Sequence, residues 1–470
     1  MKLINSHLIR KNIKYALFYS IIISLTGCAA IAQPIKEKAA NTIAQDIDSA
    51  ATGASYPVAG AINPDLVNNP PQVDLSQYQS VQSTSGRPRQ RPDIAIAVAA
   101  SGGGYRAANL TAGVLMGLEQ ITNPHLKGNL LEEVDYFSTV SGGGLGVGYY
   151  MASLYNYLQE YGNSPFNPEF SFTNTIKALP AVNPLDKDYS KDIFSSPNAA
   201  QTIEDSITDS ILKKNNGDTL LLGDIFVPRN ESPAAVKLPY WVTNATIYQN
   251  AALFPFTPDV LEKYNVKTYP YHLATRVINN NGYDVPVAIG MAASASYPFA
   301  VPPLTLGSSG CDSNPCYLHL MDGGLADNLG IYTALHLLSQ DKSKIKILIV
   351  IDAYKAAIEP FSKELIPPTN ATIFWRILTM SADAARQNIK ENVNDLTKDM
   401  LCRRGTNNVL VIYLDLAQYP QARNVGTTFS ITPEQQQILL RSGEDLVLRN
   451  KQIAQLKQFL NGDKAIGACN

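Results

Sequence analysis

The apolar positions of the chain form two recurring patterns from residue 94 onward. Residues 94–100 (IAIAVAA) are continuously apolar, with a proline before them and glycines after, which predicts a buried strand. Apolar residues then recur at helical spacing over 106–121, and the same two patterns follow at 134–140 and 145–161. Because strand, glycine turn and helix occur twice, the sequence predicts an α/β fold with a parallel sheet that helices cover on its faces.

The rest of the chain carries further strand patterns and one clear helix start. Thr432, Pro433 and Gln435 supply a capping residue, a proline at the first helical position and a glutamine three residues after the cap. We therefore expect a helix from 433 to about 460. Residues 163–235 carry turn signals and weak helical patterns, and are interpreted as an insertion or cap. Five more strands are predicted, at 240–247, 285–289, 316–321, 344–352 and 409–414.

The N-terminus has the pattern of an export signal. Several basic residues precede the apolar stretch 16–25 (ALFYSIIISL), which is too short to span a bilayer but fits the core of a signal peptide. The next residues, 25–28 (LTGC), resemble the lipobox of bacterial lipoproteins. The resemblance implies removal of residues 1–27 and attachment of diacylglycerol to the sulfur of Cys28. An ordinary secretory signal with a chance cysteine is the alternative.

The residues after Cys28 are expected to hold a folded domain off a membrane. Two or three acyl chains anchor a protein stably, and Ala29 resembles the residue that sorts Gram-negative lipoproteins to the outer membrane. Residues 28–92 are rich in Ala, Ser, Pro, Gln and Asn, which predicts a flexible tether. The catalytic domain is then expected to cover 93–470.

The charge of the chain and its cysteines argue against two classes of function, nucleic-acid binding and zinc binding. The 38 basic residues nearly balance the 40 acidic ones, so the chain lacks the basic excess that nucleic-acid binders show. Four cysteines besides Cys28 predict disulfides in an exported chain, and they allow three pairings. Cys311 and Cys316 form the natural local bridge, which would leave Cys402 to pair with Cys469. No zinc-site spacing accompanies them, so no metal is expected.

Three glycine motifs lie between predicted strands and helices. Residues 101–106 (SGGGYR) can turn N–H groups outward at a helix start and bind an anion, either a phosphate or the oxyanion of acyl transfer. Residues 139–144 (TVSGGG) present Ser141 at the end of a strand, as in a nucleophile elbow. Residues 322–328 (DGGLADN) place Asp322 at another strand end. Each motif taken alone is also compatible with an ordinary turn.

Together the motifs resemble those of the patatin-like phospholipases and, more distantly, the cytosolic calcium-dependent phospholipases A. The resemblance implies a three-layer α/β/α sandwich with a mostly parallel central sheet. It also implies a hydrolase that cleaves carboxylic esters of phospholipids without a cofactor or metal. In that family's pattern Ser141 is the nucleophile, Asp322 is its general base, and the N–H groups of the glycine loop hold the oxyanion. The three oxyanion-hole residues would be Gly102, Gly103 and Gly104.

Residues beside the motifs have alternative assignments. Arg106 could contact a phosphate, steady the glycine loop, or be a solvated residue of the helix start. Asp327 is the alternative base to Asp322, and Asn328 is expected to bond local backbone in its turn. His319 is not expected to join a triad, because residues 319 and 322 of one strand face opposite sides.

One more segment resembles the family, one residue departs from its pattern, and two apolar segments have two interpretations. Residues 292–303 (AASASYPFAVPP) resemble the family's A-S-x-x-x-P segment, whereas Thr139 departs from the glycine expected at the start of the elbow. The apolar segments 253–256 and 297–303 fit an acyl channel and a protein core equally.

Other functions remain open at this point. The same dyad would serve a lipase, a lysophospholipase or a thioesterase, because it does not select the acyl donor. A catalytically silent envelope lipoprotein would use the glycine loop to bind lipid headgroups. A phosphate-binding module is less favoured, because the Gly-Lys-Ser/Thr sequence of a P-loop is missing. The expected partners are a phospholipid substrate and the anchoring membrane, without nucleic acid, and the sequence identifies no protein partner.

Overall fold

The chain divides into two compact units. One comprises residues 61–355 and 386–470, and the other comprises residues 1–60 and 356–385. Of the second unit, part of one helix is described. The computed structural model describes residues 69–78, 93–122, 128–161, 170–178, 185, 199–228, 238–271, 274–298, 301–309, 316–355, 370–402, 408–461 and 469.

The larger unit is built on one mixed sheet of ten strands within the described residues. The strands are β1 Ile94–Ala100, β2 Tyr136–Val140, β3 Tyr240–Ile247, β4 Leu253–Phe256, β5 Val266–Tyr271, β6 Ala274–Val277, β7 Leu304–Ser308, β8 Cys316–Asp322, β9 Ile345–Asp352 and β10 Asn408–Asp415. Their order is β10-β9-β1-β2-β3-β8-β7-β5-β6, and β4 pairs with β3. Neighbours from β10 to β3 are parallel, whereas all pairs from β3 to β6 are antiparallel.

The described residues also form helices, several of which pack on this sheet. They are α1 Gly104–Glu119, α2 Gly142–Tyr161, α3 Phe172–Lys177, α4 Ala199–Ser210, α5 Leu222–Ile225, α6 Pro258–Lys263, α7 Val287–Ser294, α8 Gly324–Asp327, α9 Ile331–Gln340, α10 Asn370–Leu401, α11 Pro420–Arg423, α12 Pro433–Leu448 and α13 Lys451–Leu460. Helix α1 packs against α2 and α12, and α9 packs on β1, β2 and β9. Every residue of β1 and β9 is buried, as expected for strands covered on both faces. The predicted α/β/α sandwich is confirmed, but its sheet is mixed rather than mostly parallel, because the strands from β3 to β6 are joined as antiparallel pairs.

Helices α1 and α12 approach each other at backbone contact distance. A Cβ atom at Gly113 of α1 would lie 2.2 Å from the carbonyl oxygen of Leu440, and one at Gly443 of α12 would lie 2.4 Å from that of Leu110. Only glycine fits at such distances. This crossing fixes α1, which begins at the glycine loop of the site.

The strand predicted at 285–289 is wrong. Its apolar residues belong to α7, which follows Pro286, is buried throughout and packs on β3. A short apolar run that is buried on all sides has no periodicity that separates a strand from a helix.

The single helix predicted from 433 to about 460 is also wrong in part. Its start is confirmed, because Thr432 and Gln435 form a reciprocal capping box. The helix ends at Leu448, and Asn450 then accepts hydrogen bonds from two N–H groups of the next turn and starts α13.

Residues 69–78 are part of the folded unit, so the prediction of a flexible tether over 28–92 is wrong for this segment. Val73 and Tyr78 are each 1% exposed. The Tyr78 hydroxyl donates a hydrogen bond to the carboxylate of Asp259. Burial of the Tyr78 side chain raises its pKa, and the negative charge of Asp259 raises it further. The predicted signal peptide, Cys28 and the rest of the predicted tether lie outside the described residues. No helix within the described residues is both long and apolar enough to cross a membrane.

One of the predicted disulfides is described in full. Cys402, directly after α10, is bonded to Cys469, with 5.4 Å between their Cα atoms. Cys316 is disulfide-bonded as well, whereas Cys311 lies outside the described residues. Closing a loop of 67 residues stabilises the fold by about 4 kcal/mol in the chain-entropy description.

Candidate active site

Ser141 lies in a tight turn between β2 and α2. Its φ angle is 48°, a left-handed conformation that side chains rarely adopt and that costs about 1–2 kcal/mol. The next residue must be glycine, because a Cβ atom at Gly142 would lie 2.0 Å from the carbonyl oxygen of Gly104. The turn therefore lifts the Ser141 side chain at the carboxyl end of the parallel strands and brings the first glycine motif beside it.

The Ser294 side chain fixes the position of this turn through two hydrogen bonds. Its hydroxyl accepts the N–H of Ser141 at 2.8 Å and donates to the carbonyl of Asn244 at 2.6 Å. The fully buried Asn244 side chain in turn donates to the Ser138 hydroxyl at 2.9 Å and to the Thr139 carbonyl at 3.0 Å. A satisfied buried network of this kind fixes one geometry, which stabilises the strained turn.

Asp322 ends β8 and lies next to Ser141. The Ser141 side chain lies close enough to the Asp322 carboxylate to lower its pKa, and the Gly324 N–H donates to Asp322 Oδ1 at 2.8 Å. Asp322 is 5% exposed, and this burial raises its pKa from 3.8 to about 6, although the Gly324 N–H and the Ser141 side chain act in the opposite direction. The side chain is therefore ionised above about pH 6 and can accept a proton from Ser141.

The segment around Ser294 also positions Asp322. The N–H of Asp322 donates to the carbonyl of Ser296 at 2.9 Å, two residues after the hydroxyl that holds Ser141. Ser294 and Ser296, in the segment that resembles the family's A-S-x-x-x-P, therefore contact both Ser141 and Asp322 and set the distance between them. Apart from this resemblance, no local pattern marks Ser294 or Asn244 as part of the site.

The glycine loop turns beside Ser141. Gly103 and Gly104 have φ angles of 143° and 58°, which explains the need for glycine at both positions. A Cβ atom at Gly102 would lie 3.4 Å from Ser141 Cβ. The N–H of Gly102 is donated to the carbonyl of Asn328 at 3.1 Å, so this predicted oxyanion donor is already engaged. Gly103 and Gly104, at the N-terminus of α1, are the better candidates.

The family model described as patatin-like phospholipase matches residues 98–335 of the chain. The chain belongs to the patatin-like phospholipase family. The matched range contains the glycine loop, the Ser141 turn and Asp322, and the family acts on lipids as acyl hydrolases. A lipid is therefore the substrate class of this patatin-like chain. No curated protein matches the sequence.

Arg106 of the patatin-like glycine motif has a structural role. Its side chain is 2% exposed, and it donates to the carbonyls of Ala353 at 2.7 Å and Val425 at 3.0 Å. Burial lowers the pKa of Arg106 to about 10, with Asp352 opposing the change, so the guanidinium stays charged at neutral pH. The predicted phosphate contact and the solvated alternative are both wrong, because the Arg106 side chain is buried and donates to backbone carbonyls that stabilise the loop.

Ser101 and Arg106, the polar residues at the two ends of the glycine motif, both form hydrogen bonds with the backbone of Ala353. The Ser101 hydroxyl accepts the N–H of Ala353 at 2.8 Å, and Arg106 donates to its carbonyl. Ala353 directly follows β9 and, like Val425, lies beyond the range that matches the family. Residues outside this range therefore complete the support of the patatin-like glycine loop.

Thr139 departs from the glycine of the usual elbow but is accommodated. Its hydroxyl accepts the indole N–H of Trp241 at 2.9 Å. A Cβ atom at Gly144 would lie 3.3 Å from this hydroxyl, so α2 supplies the small residue instead. The departure therefore leaves the turn at Ser141 intact.

Asp327 is not available as a base. It is 1% exposed, and its carboxylate accepts the N–H groups of Leu329 and Gly330 at 3.0 Å and of Tyr332 at 2.9 Å. Burial raises its pKa. Its oxygens are saturated with backbone donors at the start of α9, so Asp327 shapes the turn after Asp322.

The remaining predicted candidates lie away from the dyad. His319 bonds the Thr305 hydroxyl through Nδ1 at 2.9 Å, and burial lowers its pKa. The apolar segment 253–256 is β4, and its Phe254 and Phe256 are core residues. Among the described residues no cluster of three or more His, Cys, Asp or Glu side chains could hold a metal ion.

Proposed function

We propose that this lipid acyl hydrolase is a phospholipase A that cleaves carboxylic esters of membrane phospholipids with a dyad of Ser141 and Asp322. The observation that carries the proposal is the position of the Ser141 side chain, on the strained turn after β2, beside the buried Asp322 carboxylate whose pKa it lowers. The glycine loop beside Ser141 and the network through Ser294 support it.

In the proposed mechanism Ser141 Oγ attacks the ester carbonyl while its proton passes to Asp322. The N–H groups of Gly103 and Gly104 hold the oxyanion, each such donor being worth about a hundred- to a thousandfold in rate. The intermediate collapses when Asp322 returns the proton to the leaving lysophospholipid. Water, deprotonated by Asp322, then attacks the acyl-Ser141 ester, and Asp322 returns the proton to Ser141 Oγ as the fatty acid leaves.

The test is product analysis with the mature chain, purified from membranes in mild detergent. Mixed micelles of phosphatidylethanolamine and phosphatidylglycerol are incubated with wild type, and with Ser141→Ala as the blank. We expect early release of fatty acid and lysophospholipid in equal amounts. Release of a phosphorylated headgroup would contradict cleavage at the carboxylic ester. Hydrolysis of triacylglycerol or an acyl thioester alone would contradict the substrate class and favour the alternatives.

The activity is expected to depend on the ionisation of Asp322. Because only the carboxylate accepts a proton and its pKa is about 6, kcat/KM should rise with pH through about 6 and then level off. The measurement is the initial rate from pH 4.5 to 8.5 on a short-chain ester, under conditions where the enzyme is stable. A rate that is already maximal at pH 5 would contradict a base whose pKa is raised to about 6.

We further propose that the chain is anchored in the bacterial cell envelope, in the outer membrane, by a lipidated Cys28. The support is the lipobox-like sequence at 25–28. Cys28→Ser should move the protein from the membrane fraction to the soluble fraction, with the exposed Ser76→Ala variant as the control that remains membrane-bound. An unchanged distribution of Cys28→Ser between the fractions would contradict the anchor. Density-gradient separation of the two membranes tests the location.

A further inference from the structure

Asn328 occupies the junction between the glycine loop and the turn that follows Asp322. Its backbone carbonyl accepts the N–H of Gly102 at 3.1 Å. Its neighbours on both sides, Asp327 and Leu329, are buried, and Asp327 is held by three backbone donors. The residue therefore has a fixed position, although its side chain is partly exposed.

The Asn328 carboxamide lies between the two reactive side chains. A Cβ atom at Gly102 would lie 2.6 Å from Asn328 Oδ1 and 3.4 Å from Ser141 Cβ. A Cβ atom at Gly324 would lie 2.7 Å from the same Oδ1 and 3.0 Å from Asp322 Oδ1. Glycine at both positions leaves room for this one polar group beside the nucleophile and the base.

The carboxamide is free to bind a substrate. Sequence analysis expected it to bond the backbone of its own turn, and that expectation is wrong: within the described residues its oxygen and nitrogen make no hydrogen bond. Ordered polar side chains usually have partners in protein or water. A neutral amide that is partly exposed and fixed beside Ser141 has the properties of a hydrogen-bond donor to a reacting group.

We propose that the Asn328 side chain is a catalytic group that donates an N–H to the oxyanion formed when Ser141 adds to the ester carbonyl. The inference rests on the proposed function. Asn328 engages the N–H of Gly102 through its own carbonyl, and so removes one donor from the loop. The structure places Asn328 Oδ1 there, and a half-turn of the carboxamide, which no hydrogen bond within the described residues opposes, exchanges Oδ1 for Nδ2 and supplies a replacement donor next to Gly103 and Gly104. An amide suits this position, because a carboxylate would repel both Asp322 and the oxyanion.

The first experiment compares truncation with an isosteric change. Asn328→Ala should lower kcat about a hundredfold or more, with KM changed less than about threefold. Asn328→Asp keeps the shape but adds charge, so at pH 8 it should be at least about ten times slower than Asn328→Ala and should recover towards it as the pH falls. The matched control, the exposed Asn174→Asp of α3, should leave kcat unchanged. Near-wild-type kcat in Asn328→Ala would show that Asn328 only fills space.

A second experiment displaces the carboxamide without altering it. In Gly102→Ala the new methyl group meets Asn328 Oδ1 at 2.6 Å, whereas its other close neighbours are at 3.4 Å. We expect Gly102→Ala to lower kcat by about as much as Asn328→Ala, and the double variant to be no slower than either single variant. Losses that multiply in the double variant would overturn the inference.

The outcomes separate this inference from the proposed function. If wild type releases no fatty acid from any lipid ester, the proposed function fails. If wild type is active and Ser141→Ala is inactive, while Asn328→Ala retains full kcat, the assignment of Asn328 alone fails.

Discussion

Ser141→Ala is expected to lower the rate of phospholipid hydrolysis by about 10⁴-fold or more, with the fold unchanged. The substitution removes the only atom that forms the acyl-enzyme bond in the proposed mechanism. The glycine loop and Asp322 remain, so a small residual rate over the uncatalysed reaction is expected. The exposed Ser76→Ala, which makes the same chemical change on the surface, should retain the wild-type rate. Fatty acid release by Ser141→Ala within tenfold of wild type would exclude it as the nucleophile.

The covalent step gives a second measurement of the same prediction. A fluorophosphonate should label wild type once, on the peptide that contains Ser141, and mass spectrometry locates the adduct. Labelling should be slow below pH 6, where Asp322 is protonated. An adduct on another serine, with Ser141 unmodified, would contradict the assignment.

The strained backbone at Ser141 adds a consequence for stability. Since its φ angle is 48°, Ser141→Gly should be more stable than Ser141→Ala by about 1 kcal/mol, and both should be inactive. Urea unfolding measures this difference. Such a result would show that the turn stores strain in order to present the nucleophile, whereas equal stabilities would remove that explanation.

Local signals explain what the sequence alone could predict of this fold. The continuous apolar runs of β1 and β9 and the glycine turns after β1 and β2 are encoded within a few residues. The antiparallel strands β4, β5, β6 and β7 were not predicted, because they are short and their pairing depends on partners far along the chain. Helix α7 was not predicted for a different reason. Every side of it is buried, so its apolar run has no amphipathic period that would distinguish a helix from a strand.

The site was predicted through family resemblance more than through spacing. Asp322 and Ser141 meet because β8 runs antiparallel to β3, with Ala245 opposite Asp322. No local pattern reports that contact. Arg106 was misassigned for a related reason: its acceptors, Ala353 and Val425, are 247 and 319 residues away. A charged residue at a helix start is expected to be exposed to solvent unless the segments that bury it are known.

The substitution Asp322→Asn should abolish activity and raise stability at the same time. The asparagine side chain could donate to Ser141 Oγ but could not accept its proton, so we expect a loss in kcat of about 10⁴-fold. The burial that raises the pKa of Asp322 from 3.8 to about 6 also disfavours the ionised folded state. By linkage the folded protein loses about 3 kcal/mol as the pH rises from 4 through 6, and the neutral variant does not.

The measurement is urea unfolding of both proteins at pH 4.5, 6 and 8, with the difference between them taken at each pH. Asp322→Asn should be the more stable by about 1 kcal/mol at pH 4.5, rising to about 3 kcal/mol at pH 8. Asp327→Asn is the matched comparison five residues away, made at pH 4.5 because burial raises the pKa of both carboxyl groups: since the Asp327 carboxyl accepts three backbone N–H groups, losing an acceptor there should destabilise the fold. A destabilised Asp322→Asn would mean that Asp322, like Asp327, serves the fold. The opposite signs expected for one substitution at two neighbouring aspartates distinguish a carboxylate kept for proton transfer from one kept for structure.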